Sequence, residues 1–172
     1  MALAAVGLSG CLSEPTYSTT PSISFNNIRS VRYIINNTPV DSVFITINFQ
    51  DGDGDLGVTE AESKKAPYYA MFLGNNYYMT PFVRNTNGRF DSLETLRPDL
   101  ALTKSSYYNR FDHISTTTDN RAAPLRGTLT RAYRFVLSEE FNAKQEAKFT
   151  ISIVDRALHQ SNTVETTSII IP

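Results

Sequence analysis

The segment Val43-Phe44-Ile45-Thr46-Ile47-Asn48-Phe49-Gln50 alternates without a break and runs straight into Asp51-Gly52-Asp53-Gly54-Asp55-Leu56-Gly57. Period two puts Val43, Ile45, Ile47 and Phe49 on one face and Thr46, Asn48 and Gln50 on the other. That pattern predicts a half-buried strand. Phe149, Ile151 and Ile153 alternate with Thr150 and Ser152 in the same way. Residues 164–171 also alternate, but which set faces inward is ambiguous. Ile23-Ser24-Phe25 and Val31-Arg32-Tyr33-Ile34 predict a first strand, interrupted at Asn26-Asn27, and Leu125–Val136 predicts another.

Turn formers separate these segments. Gly74-Asn75-Asn76 lies between Tyr68–Leu73 and Tyr77–Val83, which reads as a hairpin, and Asn85-Thr86-Asn87-Gly88 is a second turn. Ser138–Lys148 has some helical propensity but is short enough for one turn or a polar loop. Residues 84–124 read as an irregular insertion in which Tyr107, Tyr108 and Phe111 suggest an edge strand. About seven short strands separated by turns predict an all-β fold, an antiparallel sandwich, with a small closed barrel as the alternative. The length of 172 residues allows one domain, 23–172.

Sixteen Lys and Arg balance seventeen Asp and Glu, for a net charge of −1. Without clustered cations, nucleic acid is not expected as a ligand. The one cysteine, Cys11, excludes an internal disulfide. It follows a run of small apolar residues, as the last member of Leu8-Ser9-Gly10-Cys11. That tetrapeptide resembles a bacterial lipobox, in which the cysteine is lipidated and becomes the first mature residue. The preceding run is short and lacks a basic flank, which suggests a start codon assigned too late. Residues 1–10 then read as a signal peptide and 11–22 as lipidated Cys11 plus a Ser-, Thr- and Pro-rich tether. The acyl chains imply stable membrane anchoring.

The loop after the best strand carries the clearest chemistry. Asp51, Asp53, Asp55, Glu60 and Glu62 fall within twelve positions that hold no Lys or Arg. Gly52 and Gly54 allow the chain to curl, so that the three aspartates aim at one point. Converging hard oxygens suit Ca²⁺, which takes six to eight of them at about 2.3–2.6 Å. Against an EF-hand loop, Asp51, Asp53 and Asp55 match positions one, three and five and Glu62 matches twelve. Leu56 stands where Gly is required, and a strand precedes the loop. It therefore reads as a DxDxD loop on a β-scaffold, with Leu56 turned back into the core. Two carboxylates about 5 Å apart repel by about 3 kcal/mol at an effective dielectric of about 20, so three call for a cation, protonation or splaying. A solvated acidic turn remains the competing reading.

The strand–DGDGDLG step resembles that of uncharacterised Bacteroidota lipoproteins. So does the closing stretch Asp155-Arg156-Ala157, Ser161-Asn162, Val164 and Thr166, and Pro124-Leu125-Arg126-Gly127 fits the same pattern. The resemblance implies an immunoglobulin-like sandwich on an outer-membrane lipoprotein and implies no activity. In an immunoglobulin-like order, the loop after the second strand and the loop before the last lie at one end. Asp155 is then a further candidate calcium ligand, or it orients Arg156. Asp41-Ser42-Val43 and Asp91-Ser92-Leu93 also resemble that phylum's O-glycosylation sequon.

An enzyme needs a nucleophile–base set or paired carboxylates in a cleft. His113 beside Asp112 forms no ready dyad, because neighbours on a strand point to opposite faces. His159 near Ser161 is a loose hint. No catalytic residue is expected, although a glycosidase carboxylate pair stays open. Tyr68-Tyr69, Tyr77-Tyr78 and Tyr107-Tyr108 come in pairs, and in a strand one of each pair faces outward. An exposed Tyr suits a sugar ring or a protein interface. The expectation is a lipid-anchored binding or assembly module with a calcium-stabilised loop and a protein or glycan ligand. The alternatives are a structural accessory subunit and a carbohydrate-active enzyme.

Overall fold

A computed structural model describes residues 16–114, 122–136 and 139–172. Its strands are β1 (Ser22–Ile35), β2 (Thr38–Asp51), β3 (Tyr77–Arg84), β4 (Phe90–Ser92), β5 (Leu125–Val136), β6 (Glu146–Ile153), β7 (Val164–Glu165) and β8 (Ile169–Ile170). One sheet has the order β1-β2-β5. The other has β4-β3-β6-β7, with β8 also on β6, and every pairing is antiparallel. The fold is thus an all-β sandwich and not a closed barrel. Lettered in the immunoglobulin manner, the order is A-B-E against C′-C-F-G.

The alternation of β2 is realised residue by residue. Val43, Ile45 and Ile47 are fully buried and Phe49 nearly so, and they face Ala147, Phe149, Ile151 and Ile153 of β6 across the core. The break expected in the first strand is a bulge: the register shifts between Phe25 and Asn27, and the strand continues unbroken. The ambiguous face of 164–171 has a similar cause. The register on β6 changes by one residue between β7 and β8, so Thr166 faces inward in the first part and Ile171 in the second.

Three expectations fail. Tyr68–Leu73 is not half of a hairpin: Tyr68–Phe72 is a short helix, α2, and Leu73 closes it at φ 52°. Tyr69, Met71 and Leu73 donate backbone bonds to Lys65, Pro67 and Tyr69, so the segment satisfies its own backbone and pairs with no strand. Tyr107, Tyr108 and Phe111 form no edge strand. Lys104–Tyr107 is a 3₁₀ turn, and only Asn109 bridges to Tyr77. The buried Asn76 side-chain amide fixes Phe111 in place, accepting from its N–H (2.8 Å) and donating to its carbonyl (2.9 Å). The expected tether, residues 12–22, overlaps the folded domain at its C-terminal end. Gly52 N–H donates to the Ser18 carbonyl at 2.8 Å, Pro21 is buried and β1 begins at Ser22.

The sequon-like Asp41-Ser42 lies inside β2. Ser42 is 3% exposed, and buried Asp41 accepts from Arg32 Nε (2.8 Å) and Nη2 (2.7 Å). That burial is incompatible with a glycan on Ser42 in the folded chain. Ser92 caps a short helix, α3 (Leu93–Leu96). The loop before β6 supplies a core residue that the sequence concealed. Phe141 meets Phe135 edge-on, with centroids 4.6 Å apart, and both rings pack near Phe149. Phe135→Ala is expected to cost about 3–5 kcal/mol, read as a lower urea midpoint with an unchanged slope.

Candidate metal centre

Asp51 ends β2, and the chain reverses at once. Gly54 (φ +70°) and Gly57 (φ +89°) adopt left-handed conformations, and each lies flat against backbone. A Cβ would stand 2.1 Å from the Ala123 carbonyl oxygen at Gly54 and 2.2 Å from that of Asp112 at Gly57. Only glycine allows these approaches. Between them, Leu56 is buried in the core, as expected. The loop is then sewn to 111–114, with Val58 N–H bonding the Phe111 carbonyl and Ile114 N–H bonding that of Leu56, both at 3.1 Å.

The loop after β6 meets this turn from the other sheet. Arg156 N–H (3.3 Å) and Nε (3.1 Å) donate to the Asp55 carbonyl, and Ala157 N–H donates to Asp55 Oδ2 at 2.9 Å. Asp51, Asp55 and Asp155 are thereby brought together, each with a carboxylate oxygen within 4.8 Å of the others. Two oxygens on one Ca²⁺ lie at most about 5 Å apart, so the spacing fits one ion. Asp51 and Asp155 are fully buried. Asp51 Oδ1, Asp53 Oδ1 and Asp55 Oδ1 are buried and have no hydrogen-bond partner among the described residues. Orphaned buried carboxylate oxygens are costly and call for a cation or a proton. Asp53 stands beside the close trio rather than in it, yet its charge acts on Asp51, Asp55 and Asp155.

The electrostatics agree with this geometry. Burial, then the charges of Asp53 and Asp55, pushes the Asp51 carboxyl up to about 7. Burial, then Asp155 and Asp53, pushes Asp55 up to about 6. Burial also raises Asp155, opposed by bonds from the His159 N–H (2.7 Å) and Nδ1 (2.9 Å). His159 itself is raised by that bond. Its contact with Asp155 was not expected from the sequence, although a spacing of four residues in a loop is compatible with one. The Tyr68 hydroxyl, also buried and without a partner among the described residues, is raised by burial and then by Asp155 and Asp55.

Glu62 does not join the cluster. It is the third residue of α1 (Glu60–Ser63) and forms a reciprocal capping box: its carboxylate accepts from the Thr59 N–H (2.8 Å) and hydroxyl (2.7 Å), and Thr59 Oγ1 accepts from the Glu62 N–H. Its Oε2 also lies 2.8 Å from His113 Nε2. Burial pushes the carboxyl up, but the Thr59 and His113 contacts outweigh it and hold it down at about 2. The Thr59-x-x-Glu62 pattern of a capping box was readable in the sequence and competes directly with the EF-hand alignment. Asp112 and His113 have separate partners, Arg110 and Glu62. Cys11, the expected lipidation residue, lies outside the described residues.

The donors are all oxygens, which favours a hard cation such as Ca²⁺ over softer metals. Compared with family models, with curated proteins and with solved structures, the chain matches none.

Calcium at about 100 times its dissociation constant is expected to raise the Tm of the full chain by about 5–10 °C over EDTA. Without a cation, pH acts with a definite sign. The folded state keeps protons on Asp51 and Asp55 that an unfolded carboxylate, near 3.9, has lost. That contribution is complete below about pH 4 and is lost as pH rises through about 6–7. The Tm in EDTA should therefore fall between about pH 5 and pH 7.5, and millimolar calcium should flatten the fall. Asp51→Asn should abolish the calcium shift while raising the cation-free Tm at neutral pH. A lowered cation-free Tm would contradict the repulsion argument.

Proposed function

We propose that this chain is a lipid-anchored cell-envelope protein whose calcium-stabilised β-sandwich acts as a binding or assembly module. The observation that carries the reading is the convergence of Asp51, Asp55 and Asp155 on one point with buried oxygens left unbonded. Such a site suits compartments outside the cytoplasm, where calcium is plentiful enough to fill weak extracellular-type sites. The anchor rests on Leu8-Ser9-Gly10-Cys11. No helix among the described residues is long and apolar enough to cross a membrane.

The docking of Ser18 on Gly52 supports a defined orientation for an anchored molecule. Residues 12–16 would separate Cys11 from the domain, a reach of at most about 18 Å. The acidic end of the sandwich would then face the lipid. The β1–β2 tip, with exposed Tyr33, Ile34 and Ile35, would face away from it, about 46 Å along a 14-residue strand.

The test is fractionation of source cells that express the protein from its own chromosomal locus, upstream sequence included, with mass spectrometry of the peptide that contains Cys11. The wild type should pellet with membranes and carry acyl mass on Cys11, and Cys11→Ser should become soluble. An unmodified Cys11 in a soluble wild-type protein would end the anchored reading.

A further inference from the structure

The outer face of the β4-β3-β6-β7 sheet carries a cleft of about 350 Å³, within the size range of small-molecule sites. Its floor is the directly opposed pair Thr80 and Thr150. One wall is the end of α2, where Met71 and Leu73 are 60% and 55% exposed. Tyr78 and Tyr108, in edge-on contact with centroids 4.6 Å apart, form an aromatic corner. The Tyr78 hydroxyl is tied to the Asn75 carbonyl at 2.5 Å, so its ring is held in place. The opposite side brings Ser152, Gln160 and Thr163 to the cleft, with Gln160 Nε2 donating to Ser152 Oγ at 3.3 Å.

The chemistry of this lining is specific. It combines aromatic and thioether surface with five hydroxyl or amide side chains, and among the described residues no Asp, Glu, Lys or Arg lines it. Hydroxyls and amides that both donate and accept suit a ligand covered in hydroxyl groups, and the apolar wall suits the C–H face of a sugar ring. A charged ligand would find no counter-ion. An apolar peptide would leave the threonine floor and Gln160 without partners, at the cost of their desolvation.

We propose that this cleft binds a neutral saccharide, with Thr80, Thr150 and Gln160 bonding its hydroxyls and Tyr108 and Met71 contacting its apolar face. The proposal rests on the binding-module reading above and gives it a ligand class. Thr80 and Thr150 lie on strands, where Val has the same shape and an equal β-preference. Replacing both removes the hydroxyls without disturbing the sheet.

The experiment is calorimetric titration of the full chain, in millimolar calcium, with cellobiose, chitobiose and mannobiose. At least one should bind with a Kd of about 1 mM or tighter. The Thr80→Val, Thr150→Val double variant should weaken it about tenfold or more. A Gln160→Ala variant should weaken it too, and both variants should keep the wild-type melting temperature. No binding by any of the three disaccharides overturns the proposal. So does binding that both variants leave unchanged, or binding of anilinonaphthalene sulfonate in the cleft with no disaccharide bound. Because the lipid on Cys11 is read by mass spectrometry, failure of the saccharide proposal leaves the anchored reading separately tested.

Discussion

Mutual repulsion among Asp51, Asp55 and Asp155 is the constraint around which one end of the sandwich is arranged. Like charges in a partly desolvated site separate unless the backbone prevents it. Here the backbone prevents it from both sheets. Asp51 is fixed as the last residue of β2 and Asp155 by the loop after β6. Asp55 is clamped by N–H groups and a guanidinium from residues 156 and 157. Only glycine fits the two tight approaches at Gly54 and Gly57, so the DGDGDLG spelling is as much a statement about backbone contact as about charge.

The same end ties the two sheets together. Asn162, just before β7, exchanges two hydrogen bonds with the backbone of Ile23 in β1, at 2.8 and 2.9 Å. Ser161 Oγ accepts the Ile153 N–H at 3.0 Å and so closes the end of β6. The closing Asp155…Ser161-Asn162 stretch is therefore three structural devices in sequence: a carboxylate for the acidic site, a cap for a strand and a strap between sheets. The acidic site and the cleft also share parts. α2 lays Tyr68 against Val58 and Val154 near the carboxylates, and its far end forms the cleft wall. The loop holding Asp155 also delivers Gln160.

Much of the architecture was readable where local pattern and tertiary burial coincide. β2 and β6 alternate cleanly because one face of each lies in the core and the other does not. Where elements are too short to show a period, the pattern misled. α2 has five residues, less than two turns, so Tyr68–Phe72 looked like an aromatic-rich strand. Its punctuation was visible nonetheless, with Pro67 in front and Gly74 just behind. Phe141 was hidden because a single apolar residue in a polar loop carries no period at all.

The sequence by itself determined the sandwich class, the acidic turn after the second strand and the inward return of Leu56. Each depends on neighbours along the chain, which alternation, glycine and charge density specify locally. Tertiary structure decided which carboxylates meet. Asp155 joins Asp51 and Asp55 across 104 and 100 positions because the antiparallel order brings two loops to one end. Glu62, only eleven positions from Asp51, is kept out because its own helix start offers Thr59 and the fold adds His113. Proximity in sequence lost to hydrogen bonds already in hand. The cleft beside α2 is likewise a product of assembly, since no single segment contains both its aromatic corner and its hydroxyl floor.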